Sequence, residues 1–198
     1  LIYPNEIKGR ERNDGFDQKE NFVVFECVCR LLSKGYRPEH IELEKEWHLG
    51  HDAKGGRADI CVSDTNGNML FIIECKTWGR EYDKALNNTK SDGAQLFSYW
   101  QQEQSCKWLV LYASDLRSGC IAYKAPTIDC SDDANIILLS KKDKSIKLYR
   151  DAHTTSAKYE AWKETYGSQI HDDLIFSEDS VAYQIGVKPL RKKDLRDF

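Results

Sequence analysis

The apolar positions of this chain change period several times, and each change marks an element. From Asp17 to Lys34 they recur at helical spacing, with Gly35 where a C-terminal cap is expected. IELEKEWHL (41–49) alternates with period two, like a strand. RADICVSDTNGNMLFIIECK (57–76) holds two apolar runs about Asn66-Gly67, a dipeptide typical of tight hairpins. TWGREYDKALNNTKSD (77–92) reads as a charged connection with at most a short helical piece. A second helix covers about 93–104, and CKWLVLYAS (106–114) reads as a buried strand. GCIAYKA (119–125), NIILLS (135–140) and SIKLYR (145–150) are further predicted strands. A third helix spans about 154–166 and stops at Gly167, and a last strand lies near 181–187. The first fifteen residues are polar and irregular. Helices interleaved with strands predict an α/β fold in which a central mixed sheet is flanked by helices.

The hairpin concentrates the chemistry. With Asn66-Gly67 as a two-residue loop, partners across the strands have numbers summing to 133, so 61 faces 72, 63 faces 70 and Asp59 faces Glu74. Alternation puts Asp59, Cys61 and Ser63 on one face with Leu70, Ile72, Glu74 and Lys76. Ala58, Ile60, Val62, Met69, Phe71, Ile73 and Cys75 take the other. Both faces are largely apolar, as in a strand pair covered on both sides. Two opposed carboxylates in a partly buried place repel. Basic side chains between them, a shared proton or a hard divalent cation would relieve the repulsion. A salt-bridge cluster of Arg57, Asp59, Glu74 and Lys76 is the purely structural reading of the same residues.

Composition narrows the function. A net charge of −3 means that any nucleic-acid partner must be met by local positive patches. No apolar stretch approaches the roughly 20 residues that span a bilayer, and nothing reads as a signal peptide. The seven cysteines are scattered and form no CxxC pair, which argues against a structural zinc site or a disulfide framework. Reduced thiols in a cytoplasmic protein are the expectation. At 198 residues a single domain is predicted, with a core of about 16–150 and a helix-and-strand appendage at 151–198. The chain opens on Leu1, its one methionine is Met69, and PLRKKDLRDF (189–198) has no clear stop. It is therefore expected to be a piece of something longer.

Asp59 followed by Glu74-Cys75-Lys76 resembles the PD-(D/E)xK nuclease superfamily, with Ala58 standing where the motif has proline. GAQLFSYW (93–100) carries Gln95 and Tyr99, four apart on one helix face, and matches the Q-x3-Y motif of one branch. IECKTWGREYDKAL and DGAQLFSYWQQ look most like the N-terminal nuclease domains of type I and fused, type IIG-like restriction–modification enzymes. The resemblance covers about residues 20–114 and implies the N-terminal part of a longer enzyme. It implies a restriction-endonuclease-like α/β/α sandwich that hydrolyses DNA phosphodiester bonds with Mg²⁺, for which Mn²⁺ substitutes. It further implies that Asp59, Glu74 and the Cys75 backbone carbonyl hold the metal, that Lys76 positions the attacking water, and that Gln95 and Tyr99 orient the active-site strands or touch the DNA backbone. The family also places a Glu on the first helix. At about 100° per residue Glu20 shares a face with Val24, Cys27 and Leu31, whereas Glu26 falls with Lys19, Arg30 and Ser33. Glu20 is thus expected inward, as a direct or water-bridged ligand, and Glu26 in solvent. A first-turn Glu favoured by the helix dipole is the plain alternative for Glu20.

Arg80, Lys84 and Lys90, in the charged connection, are candidates to grip DNA phosphates. His48 and His51 read as ordinary strand-end and loop residues. The aromatic residues of KYEAWKETY (158–166) suit packing or a domain interface. Cys75 has no histidine partner and is not expected to act as a nucleophile. The expected partners are double-stranded DNA and fused or bound motor, methyltransferase or specificity domains, with no membrane. The rival functions are a non-catalytic DNA-binding or scaffolding domain of the same fold, and a stand-alone repair or mobile-element nuclease.

Overall fold

A computed structural model describes residues 2–12, 15, 18–49, 53–130, 156, 160, 163, 166 and 170–176. Helix α1 (Lys19–Lys34) ends at Gly35, whose left-handed backbone (φ 97°) lets the chain turn into Tyr36. Strands β1 (Ile41–Leu49), β2 (Ala53–Ser63) and β3 (Met69–Cys75) run antiparallel in sequence order. Helices α2 (Arg80–Asp92) and α3 (Ala94–Gln102) then carry the chain over to β4 (Trp108–Arg117), which pairs parallel with β3. A parallel neighbour needs such a crossover. β5 (Cys120–Lys124) folds back on β4, and β6 (Thr127–Asp129) and β7 (Ile170–His171) extend the sheet beyond it. The described residues thus form an α/β fold around a seven-stranded mixed sheet.

Two apolar layers enclose the sheet. α1 packs its buried face, Val23, Val24, Cys27, Val28 and Leu31, with Ile60, Val62, Phe71 and Ile73. On the far side Leu96, Phe97, Tyr99 and Trp100 of α3 meet Cys61, Ile72, Leu109 and Leu111. Every residue of β3 is buried, as expected for a strand covered on both faces. Three positions depart from strict alternation: Ala58 and Met69 join the α3 layer and Leu70 the α1 layer.

The cause at Met69 and Leu70 is the bend. It is wider than the two-residue loop expected from Asn66-Gly67. Ser63 pairs with Met69, and a register shift between Val62 and Ser63 restores the predicted pairs Cys61–Ile72 and Ile60–Ile73. Within the loop only Gly67 has positive φ (83°), whereas a type I′ turn needs two such residues. Asp64 organises it instead: its carboxylate accepts the backbone N–H groups of Asn66 (2.8 Å) and Asn68 (2.9 Å).

Two further expectations are corrected. The connection at 77–92 is largely helix α2, and the opening residues bury Tyr3 and Ile7 beside β1 through a bridge between Lys8 and Glu42. Of the third predicted helix, Ser156, Glu160 and Lys163 are helical. The strands predicted at 135–140, 145–150 and 181–187 lie outside the described residues, as do His51 and the tail at 189–198. No described helix is long and apolar enough to cross a membrane.

Candidate active site

One step beyond the paired residues Ile60 and Ile73 stand Asp59 and Glu74. The Asp59 carboxylate accepts the Cys75 backbone N–H at 2.6 Å, which ties the end of β2 to the end of β3. Glu74 is buried, with 3 % of its surface exposed, and its two oxygens have different partners. Lys76 Nζ lies 2.5 Å from Oε1, and the Tyr99 hydroxyl lies 2.9 Å from Oε2. That hydroxyl is also 2.6 Å from the Arg57 carbonyl, so one phenolic proton serves two acceptors. Lys76 donates in addition to Glu20 Oε1 at 3.1 Å. Its ammonium thereby spans the sheet's end, from Glu74 on β3 to Glu20 on α1.

Arg57 is not paired within this cluster. Arg57 Nε goes to Glu44 Oε2 at 2.6 Å, on the neighbouring strand β1. Of the purely structural reading, only the Lys76 bridges are present.

Tyr99 is set by its surroundings. Its ring stacks on Trp47 with centroids 5.6 Å apart. The ring also lies against Gly56, where an added Cβ would fall 2.5 Å from Tyr99 Cε1. A glycine is needed there to let the ring lie against β2. Gln95, one turn earlier on α3, lines a cavity of about 210 Å³ together with Glu74, Lys76 and Lys84. Gln95 is exposed on the cavity's rim, whereas Tyr99 is buried and reaches Glu74 without lining the cavity.

The electrostatics follow from burial. Burial, and then the charge of Glu74, push the Asp59 carboxyl well above the usual range, against the pull of the Cys75 N–H and Lys76. Burial also raises Glu74, opposed by Lys76 and the Tyr99 hydroxyl. For Lys76 burial alone would favour the neutral amine, but Glu74, Asp59 and Glu20 outweigh it and hold the ammonium charged. Burial thus holds both carboxyls above their ordinary range, while Lys76 beside them stays charged.

The donor set suits a hard cation. Asp59 and Glu74 supply carboxylate oxygens, and the Cys75 carbonyl is the next main-chain oxygen. Among the described residues no three His, Cys, Asp or Glu side chains converge as a ready ligand cage. Mg²⁺ does not require one, because it is commonly held by one or two carboxylates and keeps several waters.

Comparison with known proteins bears on the same stretch. The sequence profile of the type I restriction enzyme R protein N terminus (HSDR_N) matches residues 20–125, just over half of the 198. The chain belongs to this family. No curated protein matches it. The family match opens at Glu20 and closes at Ala125, so it takes in α1, the β2–β3 hairpin, the Gln95–Tyr99 helix and the β4–β5 pair.

Within this R-protein domain some candidates land differently from their sequence expectation. Glu26 does not face solvent: it bonds to the Tyr112 hydroxyl and to Arg30, whose Nε donates to the same hydroxyl at 2.9 Å. Glu20, in turn, is about a third exposed instead of core-facing, at the mouth beside Lys76. The Cys75 thiol is fully buried in the α1 layer. Of the three basic candidates only Lys84 lines the cavity beside Glu74 and Lys76. Arg80 is exposed in the first turn of α2, and Lys90 lines a separate cavity with Asp172 and Asp173. Sequence reasoning missed Glu81 and Asn88, which line the same cavity. Glu81, Lys84, Ala85 and Asn88 follow i, i+3, i+4, i+7 spacing, which would have exposed them had 77–92 been read as helix.

Proposed function

We propose that this domain is the Mg²⁺-dependent DNA endonuclease module of a restriction–modification enzyme, working in the cytoplasm with motor, methyltransferase or specificity domains fused or bound to it. The observation that carries the proposal is Lys76, held charged between Glu74 and Glu20 at the strand end that also presents Asp59. A structural salt bridge needs one acid per base. Here one lysine meets two acids, with a third beside them.

Asp59 and Glu74 would hold the divalent cation, with the Cys75 carbonyl and Glu20 as further oxygens. Such a cation, when bound, polarises a phosphoryl oxygen and lowers the pKa of a bound water. Lys76 then orients the attacking water and meets the charge that develops on the phosphate. Tyr99 fixes the Glu74 carboxylate through Oε2, leaving Oε1 turned toward Lys76. Gln95 and Lys84, on the cavity rim, face the phosphates beside the scissile bond. The all-thiol cysteine inventory fits a reducing compartment.

The direct test is Lys76→Ala in the parent enzyme, assayed for cleavage of double-stranded DNA with Mg²⁺ and for fold by circular dichroism. Folded protein without cleavage is expected, and undiminished cutting would defeat the assignment.

A further inference from the structure

Tyr99 has one phenolic proton and two acceptors within its reach, Glu74 Oε2 at 2.9 Å and the Arg57 carbonyl at 2.6 Å. The place of that hydroxyl is narrow: a shift of about 1 Å away from Glu74 carries it out of hydrogen-bond range. Glu74 depends on it, because the carboxylate is buried and Lys76 holds only its other oxygen. Helix α3 alone does not fix the ring, since a tyrosine side chain turns about two bonds and the second has a broad, shallow preference. The neighbours of the ring decide where its hydroxyl stands.

Those neighbours come from two strands. Gly56 of β2 lies against the ring, and Trp47 of β1 stacks on it with planes 23° apart. Trp47 sits where the β1–β2 register shifts, between Glu46 and His48. An irregularity of this kind re-aims a side chain. The indole is partly buried at the margin of the α3 layer. Lys45 Nζ lies 5.9 Å from it while pairing with Glu42 at 3.1 Å. Contact between two rings is directional as well as attractive, so it sets the plane of Tyr99 in a way that an aliphatic side chain covering the same core would not.

We infer that Trp47 is a positioning residue of the candidate site: through the ring of Tyr99 it keeps the hydroxyl on Glu74, so that Oε2 stays occupied and Oε1 stays turned to Lys76. This rests on the nuclease reading of the site. A tryptophan that only fills the core would affect stability and leave the chemistry of the site alone. One that acts through the hydroxyl has an effect that disappears when the hydroxyl is gone.

The experiment is a double-mutant cycle of Trp47→Leu with Tyr99→Phe, each variant checked for fold by circular dichroism. Mn²⁺ binding to the chain is followed without DNA, by loss of the free-ion paramagnetic resonance signal. Cleavage of duplex DNA by the parent enzyme supplies kcat and KM. Trp47→Leu is expected to weaken Mn²⁺ binding and lower kcat by about tenfold or more, the scale for a group that orients a metal-holding carboxylate, with KM little changed. In Tyr99→Phe protein the same substitution is expected to change neither. Trp47→Phe keeps a ring to stack and is expected to lose no more than about threefold, and it takes the place of Trp47→Leu in the cycle where the leucine variant does not fold. Equal losses with and without the Tyr99 hydroxyl overturn the inference, because Trp47 then acts on the fold. Mn²⁺ binding and cleavage that ignore Trp47 fell the positioning role alone. Mn²⁺ binding that follows Trp47 in an enzyme that cuts no DNA fells the nuclease reading alone, and a natural chain that neither binds Mn²⁺ nor cuts fells both.

Discussion

Lys76 Nζ stands 2.5 Å from Glu74 Oε1, in a place where the carboxylate side chain is only 4 % exposed and the lysine 18 %. Removing one member of such a pair strands the other. Lys76→Met should therefore destabilise the fold by about 3 kcal/mol at pH 8, the scale for breaking a buried pair. Glu74 already has a raised pKa through burial, and loss of the ammonium raises it further. A carboxyl whose folded pKa lies above its unfolded one destabilises as pH rises between the two values. The defect should accordingly shrink toward pH 4, measured by urea denaturation across pH. A pH-independent defect would mean that lost packing dominates.

Glu20 and Glu26 exchange the roles that helical spacing gave them, and their amides should separate the two. Glu26→Gln weakens the link from α1 to Tyr112 and Arg30, so it should cost about 1–3 kcal/mol in stability. Glu20→Gln removes a third-exposed partner of Lys76 and should leave the melting temperature within about 2 °C, on the scale of a surface pair. DNA cleavage should fall for Glu20→Gln and persist for Glu26→Gln. The reverse pattern would make Glu26 the helix's functional acid.

Asp59→Asn keeps an oxygen to accept the Cys75 N–H while removing a charge that burial and Glu74 oppose. The cost of the native carboxylate is absent below its unfolded pKa, near 4, and grows as pH rises through the raised folded value. Without metal the variant should melt higher than the natural chain at pH 7.5 and equal to it near pH 4. Millimolar Mg²⁺ or Mn²⁺ should raise the melting temperature of the natural chain and leave Asp59→Asn unmoved. An equal metal response in both would remove Asp59 from the ligand set.

Lys84 lines the cavity beside Glu74 and Lys76, whereas Lys90 lines a separate one with Asp172 and Asp173. If Lys84 meets a phosphate, Lys84→Ala should weaken DNA binding and lower the slope of log affinity against log salt by about 1. Lys90→Ala should leave the slope unchanged. Salt titration of binding distinguishes them, and equal slopes for Lys84→Ala and the natural chain would exclude the contact.

What could be read from the sequence was what repeats locally. The Asp59–Glu74 pairing was expected from numbers about a bend, and although the turn is wider than expected, the shift at Ser63 restores the expected register from Val62–Phe71 to Ile60–Ile73, the step before the two acids. α1 declared itself by its apolar stripe and by Gly35. α2 did not, because only Tyr82 and Thr89 are buried in it and, apart from Ala85 and Leu86, its other positions are polar. Its stability comes from packing beside α3, which no local pattern records. Glu26 was misplaced for a related reason: its partner Tyr112 lies 86 residues away, and a helical wheel cannot distinguish a solvated acid from one met by a distant hydroxyl.

Gly56 and Tyr99 give the sharpest test of how the site is held. A methyl at position 56 would sit 2.5 Å from Tyr99 Cε1 and 2.9 Å from Cδ1, atoms of a ring that also stacks on Trp47. The ring cannot yield without moving its hydroxyl off Glu74 and the Arg57 carbonyl. Gly56→Ala should thus destabilise by about 1–3 kcal/mol, the usual cost of overpacking, and also depress cleavage. Tyr99→Phe isolates the second effect: the stack is kept, the hydroxyl is lost, and stability should fall by only about 1 kcal/mol. If Tyr99 acts by aiming Glu74, Tyr99→Phe should lower kcat at least tenfold with little change in KM, and Gly56→Ala should do the same despite leaving every site residue in the chain. A Gly56→Ala protein that is destabilised yet cuts at the natural rate would show that the tyrosine supports the fold and does not serve the site.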